Sequence, residues 1–63
     1  MYLVIYKDVI LFKTNTKQEA IDAVMTYLEK HGKTFDSQQE IFGRTNLLFY
    51  DVNDYYNYVI IKE

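Results

Sequence analysis

Cysteine and proline are absent from this 63-residue sequence, and it contains only two glycines and one histidine. The absence of cysteine excludes disulfides and thiol chemistry and is typical of a reducing compartment, so we expect a cytoplasmic protein. A zinc site usually needs several nitrogen or sulfur ligands, which the single His31 does not supply. We therefore expect neither a bound metal nor a cofactor.

Long hydrophobic runs and an excess of basic residues are also missing. No stretch approaches the roughly 20 apolar residues of a membrane span. The apolar N-terminus is interrupted by Asp8 and lacks both a basic region and a small-residue cleavage site, so we expect no signal peptide. The net charge is −2, whereas nucleic-acid binding rests largely on clustered Lys and Arg. The charge balance therefore disfavours a nucleic-acid partner.

Apolar and aromatic residues are abundant, since 49% of the residues are hydrophobic and the chain has seven tyrosines and four phenylalanines. This composition is too apolar for a disordered tail, and the length predicts one domain, residues 1–63. A domain of this size buries only about 60% of the surface that its unfolded chain exposes. A second copy of the chain is therefore a candidate source of further burial.

The segment from Lys17 to His31 carries clear helix signals. Thr16 and Glu19 have the spacing of a capping box, in which the threonine hydroxyl accepts from the Glu19 amide and the Glu19 side chain reaches back. The residues on one side of the predicted helix are mostly apolar and recur at helical spacing: Ala20, Ile21, Val24, Tyr27, Leu28 and His31. Gly32 follows as the residue that ends the helix in the left-handed conformation.

The N-terminal residues predict a β-hairpin. Tyr2–Tyr6 and Val9–Lys13 are rich in β-branched and aromatic residues, which is typical of strands. Lys7 and Asp8 separate the two runs, and Asp tolerates the positive φ that a tight hairpin turn requires.

The C-terminal residues predict a second hairpin. Leu47–Val52 and Tyr55–Lys62 are strand-like runs on either side of Asn53-Asp54, two residues that accept a tight turn. Between the helix and this hairpin, residues 36–42 form either a short capped helical turn ending before Gly43 or an irregular strand. We favour the helical turn, because Asp36-Ser37 is a typical capping sequence.

The predicted element order is β-β-α-β-β. The simplest assembly is an α+β fold with a four-stranded antiparallel sheet, made of two hairpins, and the amphipathic helix packed on one face. Because side chains on a strand alternate between the two faces, one helix covers only half of them. The sequence therefore predicts that one apolar face of the sheet is left without cover.

The two faces of the first hairpin differ in composition. The face that we expect to meet the helix is aliphatic or phenylalanine: Leu3, Ile5, Ile10 and Phe12. The opposite face includes tyrosine: Tyr2, Val4, Tyr6, Val9 and Leu11. In the second hairpin the pattern alone does not decide, and we favour an inner set of Leu48, Val59 and Ile61 because Asp51 and Lys62 belong to the other set.

The uncovered face is the predicted protein-binding surface. It comprises Tyr2, Val4, Tyr6, Leu11, Asp51, Tyr56 and Tyr58. Soluble monomers rarely expose large apolar patches without a use for them, and tyrosine is enriched in interfaces. The alternative interpretation is that residues 33–46 fold over this face and that the tyrosines are ordinary half-exposed strand residues.

Catalysis is not expected from this sequence. His31 has no Cys or Ser partner on a recognisable turn, so no nucleophile–base pair is evident. Asp51 and Asp54 flank the second turn, where turn formation through side chain–backbone hydrogen bonds is favoured over a metal or acid–base role. We therefore expect a binding protein and no enzyme.

Short motifs in the first half of the chain carry a loose resemblance. Tyr6-Lys7-Asp8 with an apolar strand after it, followed by Thr16-x-x-Glu19-Ala20, resembles the β-β-α start of many small bacterial and phage proteins. The abundance of Lys, Asn, Ile and Tyr is also similar to that of small phage accessory proteins, which often inhibit a host protein by stoichiometric binding, and by analogy we expect that class of function. Two alternatives remain open: single-stranded nucleic-acid binding through the sheet tyrosines, and a structural homodimer.

Overall fold

Two strands and a helix form the first half of the chain, and three strands form the second half. The computed structural model describes residues 1–63. The elements are β1 (Tyr2–Tyr6), β2 (Val9–Thr14), α1 (Lys17–Lys30), β3 (Thr34–Ile41), β4 (Arg44–Tyr50) and β5 (Tyr55–Lys62). All neighbouring strands are antiparallel, in the order β2-β1-β5-β4-β3, so β2 and β3 are the two edges of the sheet. The helix is too short to cross a membrane and carries too many charged residues.

The start of α1 is held by the predicted capping box. The Glu19 amide donates to Thr16 Oγ1 at 3.1 Å, and the Thr16 amide donates to Glu19 Oε1 at 3.0 Å. Two orphan amides of the first turn are thereby satisfied, which is why the helix begins after Thr16. Lys17, the first helical residue, forms an ion pair of 2.8 Å with Glu40 of β3 and ties this end of the helix to one sheet edge.

The end of α1 is closed by Gly32, as the sequence predicts. His31 is the C-cap and Gly32 has φ +75°, a conformation that L side chains rarely adopt. The Gly32 amide donates to the Glu29 carbonyl at 3.1 Å, and the Lys33 amide donates to the Leu28 carbonyl at 2.9 Å. These two bonds form a Schellman motif, which turns the chain into β3.

The first hairpin turn is confirmed at Lys7-Asp8, where φ is +50° and +65°. Positive φ at both central residues matches the right-handed twist of the strands that the turn connects. A second two-residue turn of this kind joins β3 to β4 at Phe42-Gly43, with φ +49° and +76°. The sequence analysis did not predict that turn.

The favoured helical turn at 36–42 is wrong, and the alternative of an irregular strand is correct. Residues 36–41 belong to β3, Phe42 lies in the turn that follows, and the sheet has five strands instead of four. As an edge strand with exposed side chains, β3 needs no apolar alternation, so its sequence lacks the periodic signal of a half-buried strand. Asp36 has no partner on β4 and forms a bulge, and this accounts for the misleading capping pattern. The next strand, β4, begins three residues before the predicted Leu47.

The core lies between α1 and one face of the sheet. It comprises Val4, Ala20, Ile21, Val24, Leu28, Leu47, Phe49, Tyr58 and Ile60. Four half-buried side chains pack around it: Tyr2, Tyr6, Met25 and Tyr56. The tyrosine rings therefore form the margin of the helix-covered face, with Tyr6 stacked on Tyr58 at 4.5 Å between ring centroids.

The predicted assignment of the two sheet faces is wrong, although the alternation itself is confirmed. Val4 pairs with Ile60, and Tyr6 pairs with Tyr58, so the face with tyrosine is the one beneath the helix. Ile5 pairs with Val59 on the opposite face. Tyrosine fits the covered face because a narrow helix leaves its margins wet, where a ring can pack while its hydroxyl stays in water.

The face assignment is also corrected in the second hairpin and in β2, the second strand of the first hairpin. Leu47, Phe49, Tyr58 and Ile60 are buried inside, in place of the predicted Leu48, Val59 and Ile61. In β2, Leu11 has no partner on β1 and forms a bulge, which returns Phe12 to the helix side opposite Val4, as predicted. The bulge leaves Ile10 on the face opposite the helix, beside Ile5.

Candidate interaction surface

The sheet face opposite α1 has no element of the chain over it. Its centre is an aliphatic strip built by neighbours on β2, β1 and β5: Ile5, Ile10, Val59 and Ile61. Ile10 is exposed and the other three are partly buried, whereas Leu3, predicted to meet the helix, pairs with Ile61 on this face and is buried. The four side chains of the strip line a shallow depression of about 640 Å³ together with residues of polar or amphipathic character: Tyr6, Lys7, Asp8, Arg44, Tyr55 and Asn57. We call the four aliphatic residues the open-face strip and the six polar or amphipathic residues its rim.

The β3–β4 half of the same face is polar. Its side chains carry hydroxyl and amide groups around Leu48 and the exposed Ile41: Ser37, Gln39 and Asn46, with Asn57 of β5 beside them. The Asn57 side chain donates to Asn46 Oδ1 at 3.3 Å, so two of these amides are already paired within the chain. The open face is thus apolar at one end and hydrogen-bonding at the other, which is the composition of a protein-binding patch with a polar rim.

A second apolar surface follows β2. Four consecutive residues of this strand, Val9 to Phe12, keep between 37% and 58% of their surface exposed. A groove of about 440 Å³ runs between β2 and the helix and is lined only by apolar or aromatic side chains: Tyr6, Leu11, Phe12, Val24, Tyr27 and Tyr58. The β2 edge and this groove are continuous, because Leu11 and Phe12 belong to both.

Asp51, predicted to bind a partner, is instead occupied by contacts within the chain. Its carboxylate accepts from Lys33 Nζ at 3.0 Å, from Tyr56 Oη at 2.8 Å and from the amides of Asn53 and Asp54 at 2.8 and 2.9 Å. The Lys33 ammonium, followed by the Asn53 amide and the Tyr56 hydroxyl, holds the pKa of Asp51 far below its usual range. Only 14% of the side chain is exposed, so Asp51 builds the β4–β5 turn.

The remaining predicted binding residues lie on the helix side of the sheet. Val4 and Tyr58 are buried in the core, whereas Tyr2, Tyr6 and Tyr56 are partly buried against it. Leu11 is exposed, and it lines the groove between β2 and α1. The structure therefore separates the predicted set into core residues, core margin, groove and turn, and it forms no single exposed surface from them.

His31 and the acidic residues form no recognisable catalytic arrangement. The His31 ring stacks on Tyr27, and its Nδ1 lies 2.9 Å from the Tyr27 carbonyl oxygen, a contact that belongs to the end of the helix. No group of three or more His, Asp or Glu side chains comes together in a way that could hold a metal ion.

The open-face strip was not predicted, because its four residues were assigned to the face that packs against the helix. Ile5, Ile10, Val59 and Ile61 are β-branched aliphatic residues, which are the usual residues of a buried sheet face. Both faces of β1 and β5 are apolar, so the alternation carried no signal for which face the helix covers.

No protein-family model matches the chain, and no curated protein or solved structure is significantly similar to it.

Proposed function

We propose that this chain is a non-enzymatic protein-binding module that acts by stoichiometric association through the open face of its sheet. The observation that supports the proposal is the open-face strip, in which Ile5, Ile10, Val59 and Ile61 share one surface with no part of the chain above it. Ile10 keeps 53% of its surface exposed and the other three residues keep a smaller part, so apolar surface remains for a partner to cover. Their burial by a partner would stabilise a complex by about 25 cal/mol per Å² of apolar surface, before the cost of association.

The rim of the strip favours a protein as the partner. Arg44 and Tyr55 are residue types enriched at interfaces, and both line the depression. Lys7, Arg44 and Asp8 line the same depression, so the rim carries two positive charges and one negative charge. A surface of this kind suits a partner with apolar side chains at its centre and hydrogen-bonding groups around them.

The nucleic-acid alternative loses the stacking surface on which it depends. That hypothesis used Tyr2, Tyr6, Tyr56 and Tyr58 as an exposed platform for bases. The four side chains lie on the helix side, in the core or packed against it, and so they do not form an open aromatic platform.

The proposal is tested with a charge placed in the strip. Val59→Lys puts an ammonium at the centre of the open face, and Thr26→Lys places the same charge on the exposed side of the helix as the matched control. Each variant is used as tagged bait in cells of the source organism, and partners that are recovered in stoichiometric amounts are quantified. We expect Val59→Lys to reduce partner recovery by about tenfold or more, because burial of an unpaired charge is costly, and Thr26→Lys to leave it unchanged.

Circular dichroism and thermal unfolding of both variants check that each is folded. Equal partner recovery by Val59→Lys and wild type would show that the open face is not the binding surface. The absence of any stoichiometric partner of the wild-type chain would contradict the proposed function itself.

A further inference from the structure

The outer edge of β2 combines unpaired main chain with apolar side chains. Its inner edge is hydrogen-bonded to β1, and no strand lies on its other side. An edge strand of this kind is a ready template for another strand, and natural proteins usually protect it with charges, proline or a bulge. Of these devices β2 has the bulge at Leu11 and one charged residue, Lys13, near its end. From Val9 to Phe12, β2 has no charged residue, and the chain contains no proline.

We propose that a second copy of this chain covers the β2 edge, with the two β2 strands antiparallel about a twofold axis and the two sheets joined into one of ten strands. The proposal goes beyond the protein-binding function of the open face, and it concerns a different surface. The twofold arrangement makes the same residues meet on both copies, so the edge must be complementary to itself.

The charges at the two ends of β2 meet this requirement. The apolar residues are bracketed by Asp8, in the turn before the strand, and by Lys13, which also forms an ion pair of 3.1 Å with Glu63 of the same chain. Antiparallel pairing of the segment with itself brings Asp8 of one copy near Lys13 of the other, and it does so at both ends of the interface. Opposite charges across strands are favourable, and a parallel arrangement would instead put like charges together.

The second edge of the sheet explains why association would stop at two copies. Asp36 forms the bulge of β3, and Glu40 lies on the same strand, with its carboxylate bonded to Lys17. An inward or bulged charge on an edge strand blocks continued pairing. With one open and one protected edge, self-association closes into a dimer and does not extend into a fibre.

The available area indicates a modest affinity. A stable standard interface buries roughly 800 Å² on each partner, which is nearly a fifth of the 4413 Å² of accessible surface of this chain. Six strand residues alone bury less than that, so the groove side chains of Leu11, Phe12 and Tyr27 would have to join the interface. We therefore expect a dimer that dissociates at micromolar concentrations.

The first test measures the molar mass of the purified chain by sedimentation equilibrium from low to high micromolar concentration. We expect wild type to shift from monomer to dimer over this range. Leu11→Lys, which places a charge at the edge without altering the open face, is expected to remain monomeric. Gln38→Lys on β3 is the matched control, and we expect it to dimerise like wild type.

The second test uses the cysteine-free background to locate the interface. Leu11→Cys places a thiol near the proposed twofold axis, where the same residue of two copies can meet, and Gln38→Cys places one on the opposite edge. Under mild oxidation we expect a disulfide-linked dimer from Leu11→Cys at least tenfold faster than from Gln38→Cys. A wild-type chain that is monomeric throughout, or equal cross-linking of the two variants, would overturn the proposal.

These outcomes are independent of the partner-recovery experiment. A monomeric chain that still recovers a partner through the open face would contradict the proposed dimer and leave the proposed function intact. A dimer with no other partner would remove the proposed function of the open face and leave the β2 interface standing.

Discussion

The two edge strands of the sheet share one structural feature, a β-bulge, but differ in the polarity of their side chains. Each edge strand contains one bulge, at Leu11 in β2 and at Asp36 in β3. Around the bulge, β2 presents apolar residues, whereas most of β3 presents hydroxyl, amide and carboxylate groups. Two exposed apolar residues remain on β3, Phe35 beside the bulge and Ile41 at the end of the strand. Exposure to water is similar along both strands, so burial within the chain does not explain the difference.

The difference in polarity is explained by what happens to an edge strand that has no neighbour on one side. A polar edge remains solvated and resists pairing with other chains, which is the usual protection of a sheet. An apolar edge has the opposite property and gains free energy when another surface covers it. The comparison teaches that β3 has the features of a protected edge, and that β2 has those of an edge available for association. Three changes would break or sharpen this distinction.

The largest effect is expected from a comparison of two phenylalanines on the helix side of the sheet. Phe49 is fully buried in β4, whereas Phe12 in β2 keeps 37% of its surface exposed. We expect Phe49→Ala to lower the free energy of unfolding by about 3–5 kcal/mol, and Phe12→Ala by about 1 kcal/mol or less. Urea unfolding at low micromolar concentration measures both without a contribution from association. Equal losses would mean that β2 belongs to the core of the monomer, and its apolar edge would need no partner.

An intermediate effect is expected at the ion pair that anchors the start of β3. Lys33 lies directly before this strand, and its bond to Asp51 is shielded by the Tyr56 ring, 5.0 Å from the ammonium. The folded chain lowers the pKa of Asp51, so this carboxylate stabilises the fold above its unfolded pKa of about 3.9, and the contribution is lost as the pH falls below that value.

We therefore expect Asp51→Asn to lower the melting temperature at pH 7, with the difference from wild type shrinking below about pH 4. Glu63→Gln on the β2 side is the control, since its ion pair with Lys13 joins two half-exposed side chains and such pairs contribute at most about 1 kcal/mol. A constant difference between Asp51→Asn and wild type down to pH 2 would contradict the assigned contacts.

The smallest effect is expected at the tip of the hairpin that carries the β3 edge. Phe42 has φ +49° and is fully exposed, so its ring makes no packing contribution while its backbone is strained. We expect Phe42→Asn to raise the free energy of unfolding by about 1 kcal/mol, because Asn tolerates the left-handed region better. Lys7→Asn is the matched change in the first hairpin turn, and we expect it to raise the free energy of unfolding as well. Thermal unfolding measures both, and a loss of stability in Phe42→Asn would show that the ring has a contact within the chain.

Local signals were sufficient for the helix and the first turn. The capping box of Thr16 and Glu19, and the glycine at position 32, act through bonds between residues close in sequence, so their pattern is readable without the rest of the fold. The turn at Lys7-Asp8 is equally local. Strand β3 was the less favoured of two predictions, because an edge strand exposed to water keeps no alternation that would mark it.

The candidate surface depended on a choice that no local signal makes. From the sequence alone it follows that the sheet is apolar on both faces and that one helix can cover one of them. The packing of α1 places Val4, Phe49 and Tyr58 beneath the helix, and it leaves Ile5 and Val59 partly exposed on the other face. The reason is that the two-residue alternation of a strand divides its side chains between two faces but does not show which face is buried. That depends on how α1 packs across strands that are distant in sequence.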